Sequence, residues 1–428
     1  MTDKERALQS KSFCAALWTS IFQNPDGMVA PCCVWDSDTE QHGLGNVNKS
    51  TLDEIYKSPL VLKLKEKMLS GETLNECNFC NKLETDIPGS DGSRSFFNEN
   101  FMHKIDWDSS DTKFLYWDLR ISNLCNFKCR MCYHDLSSAW YDDAILLADK
   151  IENRNKPNER IIKINDKSKF WNELERHYQH VESVYFAGGE PFINEHHFKI
   201  LQDLIDLKLN ENIKILVNTN LSTTEFKKKK VLDYYKHFNH VVFGFSIDGS
   251  YEVGEYIRSG LDYIKWKENV KEFVEFVSLR NTLNITYLFQ FAYGVTNLDN
   301  ICDFILDLAN DGLLLDEHCK FNFMPIMNPI EQSVMAVPPQ LFDKFKVDSY
   351  KLLLQLKDLG YTNHFTIPLF KEINDIRYYI ESNPFEKTYL NDFYKNQIIL
   401  DEIRGEDIFK ILPDYRKLLT TNDGKSLI

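Results

Sequence analysis

No stretch of the 428-residue chain reaches the roughly 18 apolar residues that a membrane-spanning helix needs. Residues 1–12 (MTDKERALQSKS) are polar and charged and lack the apolar centre of a signal peptide. Both absences predict a cytoplasmic protein with no membrane partner. Positive charge is in deficit, 50 Lys and Arg against 64 Asp and Glu, for a net of −14. Such a surface repels phosphate backbones, so no general nucleic-acid binding is expected. No internal repeat or low-complexity tract is present. Cysteine is scarce beyond residue 132: only Cys302 and Cys319 lie there, each alone, as inert core thiols do. The other eight of the ten fall before residue 133. In a reducing compartment, cysteines grouped in this way predict metal ligands rather than disulfides.

With 43% hydrophobic and 27% charged residues, the composition is that of a globular chain long enough for two or three domains. Asn24-Pro25-Asp26-Gly27 marks a turn between Trp18–Phe22 and Met28–Ala30, predicting a β-hairpin. Leu52–Met68 has helical spacing, and the Pro, Gly and Ser of 88–95 suggest a linker. From about 114 strands and helices alternate. Strand-like runs occur at Phe114–Leu119, Ser183–Ala187, Lys214–Val217, Val241–Ile247, Asn284–Phe291 and Lys320–Pro325. Helices are expected between them, including one over Thr223–His237 whose Lys227–Lys230 would form a solvated face. Six strands with intervening helices predict a parallel α/β sheet, open or curled into a partial barrel. Beyond Pro338-Pro339 only helical patterns remain.

The strand Asp118–Asn123 runs directly into Cys125-x-x-x-Cys129-x-x-Cys132. Three thiolates within eight residues converge on one centre only if the chain loops around it. With no fourth cysteine nearby, one coordination position stays open. A structural zinc site closes with four ligands, and His134 would have to supply the fourth. An iron–sulfur cubane held by three thiolates leaves one iron free.

This spacing resembles the signature of the radical SAM superfamily, which lies on the loop after the first barrel strand. Met131 departs from it, standing where an aromatic residue is commoner. The resemblance implies a [4Fe–4S] cluster on Cys125, Cys129 and Cys132 whose open iron binds S-adenosylmethionine. It also implies reductive cleavage of that cofactor to a 5′-deoxyadenosyl radical, which abstracts hydrogen from a substrate. Gly188-Gly189-Glu190-Pro191, after the second strand, looks like the family's GGEP motif beside the methionine amino group, where glycine permits close backbone approach. Asn218 and Asn220 end the third strand, and Ser246 and Asp248 the fourth. Both pairs resemble positions facing the ribose and methionine moieties. Arg258 is similar to an arginine that some subfamilies aim at the methionine carboxylate. Gln290 and Met324 are weaker matches for adenine-side contacts. These residues fall at the C-terminal ends of strands, where ligands of α/β folds bind. The resemblance covers about residues 114–330.

A second resemblance lies upstream. Cys14, twelve residues, Gly27, four residues, then Cys32 is similar to the opening of SPASM and twitch domains. Leu44-Gly45-Asn46-Val47 and Leu52-Asp53-Glu54-Ile55-Tyr56 look like the segment that follows it. Cys77-x-x-Cys80 would close the site. The resemblance implies an auxiliary [4Fe–4S] cluster on Cys14, Cys32, Cys77 and Cys80, with Cys33 as a substitute for Cys32; four cysteines suit structural zinc as well. Unlike the usual arrangement, this module precedes the barrel, and its cysteines suffice for one twitch-like cluster.

The expected architecture is α/β, a partial (β/α)6 radical SAM barrel with a small N-terminal iron–sulfur domain and a helical C-terminal region. The segments are a polar tail (1–12), the auxiliary domain (13–87), a linker (88–113), the barrel (114–330) and the helical region (331–428). The resemblance implies an oxidoreductase-type enzyme that modifies a peptide or protein side chain and draws electrons from a reductant such as flavodoxin or ferredoxin. Modification of a sugar, nucleotide or other small metabolite is the alternative, and a non-enzymatic electron carrier a second one. No catalytic acid or base is identifiable from sequence. The charged stretch Asp401–Asp407 is expected to border the substrate entrance.

Overall fold

The computed structural model describes residues 1–36, 43–86, 92–109, 111–151, 154–280, 282 and 284–413. Its strands in chain order are β1 (Ser20–Gln23), β2 (Met28–Ala30), β3 (Gly45–Asn46), β4 (Tyr116–Leu119), β5 (Lys128–Cys129), β6 (Ser183–Phe186), β7 (Lys214–Thr219), β8 (Glu225–Phe226), β9 (Lys229–Lys230), β10 (His240–Ser246), β11 (Arg258–Ser259), β12 (Ile285–Tyr293) and β13 (Cys319–Pro325). The chain divides into two compact units. The first holds residues 1–124, 161–217 and 236–240, and the second holds 125–160, 218–235 and the residues from 241 onward.

In the first unit β4, β6 and β7 are parallel neighbours, with Tyr116 opposite Ser183 and Ser183 opposite Lys214. The expected hairpin forms as β1 and β2, Phe22 facing Ala30 across a turn in which Gly27 has φ +88°. A positive φ costs glycine nothing, which is why the turn closes there. β1 also lies parallel to β4, Ser20 beside Tyr116, so the N-terminal segment extends the sheet. The helix expected over Leu52–Met68 is two helices, Leu52–Tyr56 and Pro59–Leu69. Pro59 explains the break: it disfavours helical geometry at Ser58, which is extended (ψ 151°) and caps Val61 N–H with its side chain. The stretch expected as a linker contains a helix, Ser93–Phe101, which buries Phe97 and Phe101 one turn apart. Phe97 meets the Tyr116 ring edge-on at 5.3 Å.

In the second unit β10, β12 and β13 are parallel, Val241 opposite Ile285 and Tyr287 opposite Cys319. Phe243, Phe245, Tyr287, Phe289 and Phe291 lie on one face and are fully buried. They pack on Trp266, Phe273 and Phe304 of the helices Tyr263–Arg280 and Ile301–Asn310. Each such side chain contributes about 1.5–3 kcal/mol through removal from water. The alternate residues of β12, Thr286 to Ala292, stay half-buried on the opposite face. Four parallel strands in the first unit, counting β1, and three in the second, with helices between them in sequence, make the α/β class expected of a partial barrel. After β13 the elements are helical, chiefly Pro339–Asp358, Asn363–Ser382 and Lys387–Arg404. Among the described residues no helix is long and apolar enough to cross a membrane.

One expected helix is absent. Within Thr223–His237 the chain forms a hairpin, β8 against β9 with Phe226 opposite Lys229, followed by a short helix Leu232–Tyr235. Lys227 (φ 47°) and Lys228 (φ 67°) form its turn. Two central residues with positive φ are what a two-residue primed turn requires, and neither lysine adopts that region cheaply. Replacing Lys227 with Asn and Lys228 with Gly is therefore expected to stabilise the second unit by about 1 kcal/mol. A higher urea midpoint with an unchanged slope is the expected result; a lower midpoint would show that the turn is not strained.

Candidate functional site

The cysteine loop is fastened from several sides within the second unit. The Cys125 N–H donates to Ser138 Oγ at 3.2 Å, and the Ser138 hydroxyl donates to Cys125 O at 3.1 Å. Ser137 donates to Phe127 O at 2.6 Å, and Trp140 Nε1 donates to Cys129 O at 2.9 Å. β5 pairs with β11 so that Cys129 faces Arg258. Gly260 makes room for this: a Cβ there would lie 3.0 Å from Asn126 O and from the Phe127 ring.

Two N–H donors reach the sulfurs. Arg258 Nη1 lies 3.8 Å from Cys129 Sγ, and Asn220 Nδ2 lies 3.8 Å from Cys125 Sγ. Burial pushes the Cys129 thiol up, while Arg258 pulls it back down. Burial, followed by the neighbouring Cys129 and Cys125 sulfurs, pushes Cys132 well above the usual thiol range. The three thiols thus share one neighbourhood. Donors aimed at sulfur fit an iron–sulfur cluster, whose thiolates need compensation for their negative charge. Among the described residues no three His, Cys, Asp or Glu are grouped as they would be around a single metal ion.

The other candidates on the second unit are placed as follows. Asp248 is fully buried; its Oδ2 pairs with Arg258 Nε at 2.6 Å and its Oδ1 accepts from Ala292 N–H at 2.7 Å. Asp248 and Arg258 therefore hold each other, and the arginine's other end points to sulfur. Asn218 Oδ1 is 3.5 Å from Gln290 Nε2, and Gln290 Oε1 accepts from Asn322 at 2.6 Å. Gly244 is needed beside this row, because a Cβ there would sit 2.2 Å from Asn218 Oδ1. Ser246 ends β10 opposite Gln290, and Met324 is exposed.

Gly188, Gly189 and Glu190 belong to the first unit. Gly189 (φ 56°) is required by the chain itself: a Cβ would lie 2.4 Å from Leu124 O and 2.7 Å from Ser122 O. Gly188 (φ 73°) would collide with the Arg120 Cβ at 2.6 Å. Glu190 is buried, donates its N–H to Leu124 O at 2.7 Å, and caps Phe192 N–H at 2.9 Å with its carboxylate. The motif thus braces the segment immediately before Cys125.

The second cysteine set also gathers in the first unit. Cys14 and Cys80 are buried, and Cys32 and Cys77 half-buried. Burial, then the neighbouring Cys77 and Cys80, pushes Cys14 to about 12, with Arg94 opposing. Burial pushes Cys77 to about 11, and the nearby Arg94 pulls the other way. Cys32 is raised by burial and then by Cys14. Arg94, buried between Glu84 (2.7 Å) and Asn81 (2.6 Å), was not identified from sequence because it stands in the supposed linker. Cys33 is exposed and lies near Asp118, whose carboxyl it helps to lower.

Another residue that the sequence did not mark is Arg130, inside the cysteine loop. Its guanidinium is buried, pairs with Asp401 and Glu406, bonds Gln397, and lies 3.6 Å from the centre of the Tyr256 ring. Gln332 Nε2 donates to Arg130 O at 2.9 Å. Arg404 adds a second tie, stacking over Trp140 at 4.5 Å and pairing with Asp143 at 2.8 Å. Asp401 and Glu406, in the stretch expected to border the substrate entrance, therefore brace the cysteine loop. The marker available in sequence was only a charged run, and the partner lies 271 residues away.

The family model described as "Radical SAM superfamily" matches residues 119–291, and that described as "Iron-sulfur cluster-binding domain" (SPASM) matches residues 14–81. Together they cover more than half of the chain. The chain belongs to the radical SAM superfamily. Its radical SAM domain implies a [4Fe–4S] cluster and S-adenosylmethionine, and its SPASM domain an auxiliary iron–sulfur cluster. No curated protein matches the sequence. Among solved structures, Streptococcus suis SuiB bound to S-adenosylmethionine is 14% identical with TM-score 0.35, over 70% of this chain and 59% of that one. SuiB bound to precursor peptide SuiA is 15% identical with TM-score 0.31, over 64% and 54%. TYW1 with a lysine–pyruvate adduct bound is 13% identical with TM-score 0.29, over 58% and 72%. The chain thus spans less than two thirds of the length of SuiB.

Removing one member of a buried ion-pair set strands the others, at a cost of about 3–5 kcal/mol. Arg130→Met is expected to destabilise this radical SAM protein by that amount, measured by denaturant unfolding. A loss below about 1 kcal/mol would mean that Asp401 and Glu406 reach water without it.

Proposed function

We propose that the protein uses a [4Fe–4S] cluster on Cys125, Cys129 and Cys132, together with S-adenosylmethionine, to modify a peptide or protein side chain by radical chemistry. The observation that carries this reading is the pair of N–H donors, Arg258 and Asn220, directed at two of three neighbouring thiols on a fastened loop. The cluster, when bound, supplies an open iron for the amino acid end of S-adenosylmethionine and the electron that releases the 5′-deoxyadenosyl radical. The chain's residues do the rest. Arg258 and Asn220 moderate charge on the thiolates, Asp248 fixes Arg258, and the Gly188–Glu190 turn holds the strand end that leads into the loop.

In this reading Cys14, Cys32, Cys77 and Cys80 hold the auxiliary cluster, with Arg94 supplying its charge compensation, and Cys33 is not a ligand. The SPASM module supports a peptide substrate, because many enzymes with that module mature peptides or proteins. A small iron–sulfur or flavin electron carrier, such as ferredoxin or flavodoxin, is the proposed reductant.

Anaerobically reconstituted protein is expected to bind about eight irons per chain, the content of two cubanes. Replacing Cys125, Cys129 and Cys132 with Ala should halve that content and abolish 5′-deoxyadenosine formation from S-adenosylmethionine under dithionite. Stoichiometric zinc in protein made with ample iron and no oxygen would remove the corresponding cluster from this account. Gly189→Val is expected to lower both iron content and cofactor affinity, because its side chain must displace the Leu124 carbonyl. Normal values for both would show that the turn yields without consequence.

A further inference from the structure

One group of polar side chains in the first unit is used neither by the cysteine sets nor by the fold. Asp118 projects from β4, Arg120 follows it two residues later, and Tyr185 stands opposite Asp118 on β6. Residues two apart on a strand share a face, so Tyr116, Asp118 and Arg120 look the same way. Arg120 Nε donates to Asp118 Oδ1 at 3.3 Å, and its guanidinium stacks over the Phe22 ring at 4.9 Å. Cys33 lies near enough to the same carboxylate to help lower it. Tyr116 and Tyr185 each interact electrostatically with Asp118, Arg120 and Cys33. Among the described residues the two Nη groups of Arg120 have no hydrogen-bond partner. The guanidinium is held by a ring and a carboxylate, and its fork is left open.

This arrangement is costly for the fold. Asp118 is 2% exposed, and burial drives its carboxyl upward against the opposing pull of Arg120. A buried charged pair of this kind is seldom a net gain in stability over apolar packing, so its presence suggests use. Its position gives the use: Gly188 of the GGEP turn packs directly on Arg120, and Cys33 follows the candidate ligand Cys32.

We infer that Asp118 and Arg120, flanked by Tyr116, Tyr185 and Cys33, form the seat for the substrate, and that the group they recognise is an amide of a peptide chain. The inference rests on the proposed radical SAM reading and adds to it the residues that determine substrate class. An open guanidinium fork donates to a carbonyl oxygen, while the adjacent carboxylate accepts from an N–H. An amide offers both at the right separation in one plane. A lone carboxylate would meet Arg120 but be repelled by Asp118, and a phosphate more so.

The test uses reconstituted holoprotein and a displayed library of random dodecapeptides blocked at both ends, so that only internal amides are available. Exposed Cys33 serves as the reporter, alkylated by N-ethylmaleimide and quantified by mass spectrometry. Enriched peptides are expected to slow Cys33 alkylation at least tenfold and to lose at least tenfold in affinity on Asp118→Asn or Arg120→Gln. Because Asp118 is buried, Tyr185→Phe and Arg120→Lys are measured beside them; both keep the packing, and intermediate losses are expected. Iron content of every variant controls for folding. If no peptide is enriched, or if enriched peptides leave Cys33 alkylation or affinity for the variants unchanged, the seat is not where we place it. The wild type's 5′-deoxyadenosine formation reports separately: its absence removes the radical SAM reading, whereas its presence beside unaltered peptide affinity removes only the seat.

Discussion

A loop that presents three thiolates within eight residues has little shape of its own, and its own backbone bonds cannot give it one. What gives it one here is the burial of a cation inside it. Arg130 carries its charge to a place without water, and only Asp401, Glu406, Gln397 and the face of Tyr256 make that tolerable. The loop is thereby committed to a single seat, against the last long helix. Trp140, anchored to Cys129 O and covered by Arg404, extends the same logic to the next turn of chain. The helical region is thus a structural partner of the metal-binding loop, and its sequence is constrained accordingly.

The auxiliary segment solves the same problem differently. Its four candidate cysteines come from a turn, a hairpin end and a short helical stretch, none of which is stable alone. β1 supplies the support by pairing with β4 over four residues. Arg94 then does for Cys77 what Arg258 does for Cys129, placing one positive charge where several thiolates would otherwise repel one another. In both places the arginine is itself held by a carboxylate, Glu84 or Asp248. The shared feature is a fixed cation rather than a shared sequence.

Much of this was legible because the chemistry is compressed in sequence. Cys125, Cys129 and Cys132, the Gly188–Glu190 turn and the Cys14–Cys80 set each occupy short or regularly spaced stretches, and the strand alternation from 114 is periodic. Six strand-like runs were legible from it, and three of them pair in parallel within each unit. What escaped has the opposite character. Arg130 and Asp401 are ordinary charges until the fold brings them together. Asp248 and Arg258, read singly as cofactor contacts, turn out to hold each other, and a pair ten residues apart has no signature. At Gly189 the fold adds a constraint that the sequence did not show, since the neighbour that forbids a side chain there is Leu124 of the chain itself. Lys227–Lys230 misled because lysine is a good helix former, whereas here two positive φ values reverse the chain.

The parallel pairing of β1 with β4 also orders events in time. Ser20 and Tyr116 are neighbours in the sheet but emerge from the ribosome almost a hundred residues apart. At ordinary elongation rates the hairpin must wait on the order of ten seconds for its partner strand. Cys77 and Cys80 are synthesised within that interval, so all four candidate cysteines of the N-terminal set precede β4 in the nascent chain. The N-terminal cysteine set is thus complete in the nascent chain before the loop at Cys125–Cys132 has been made.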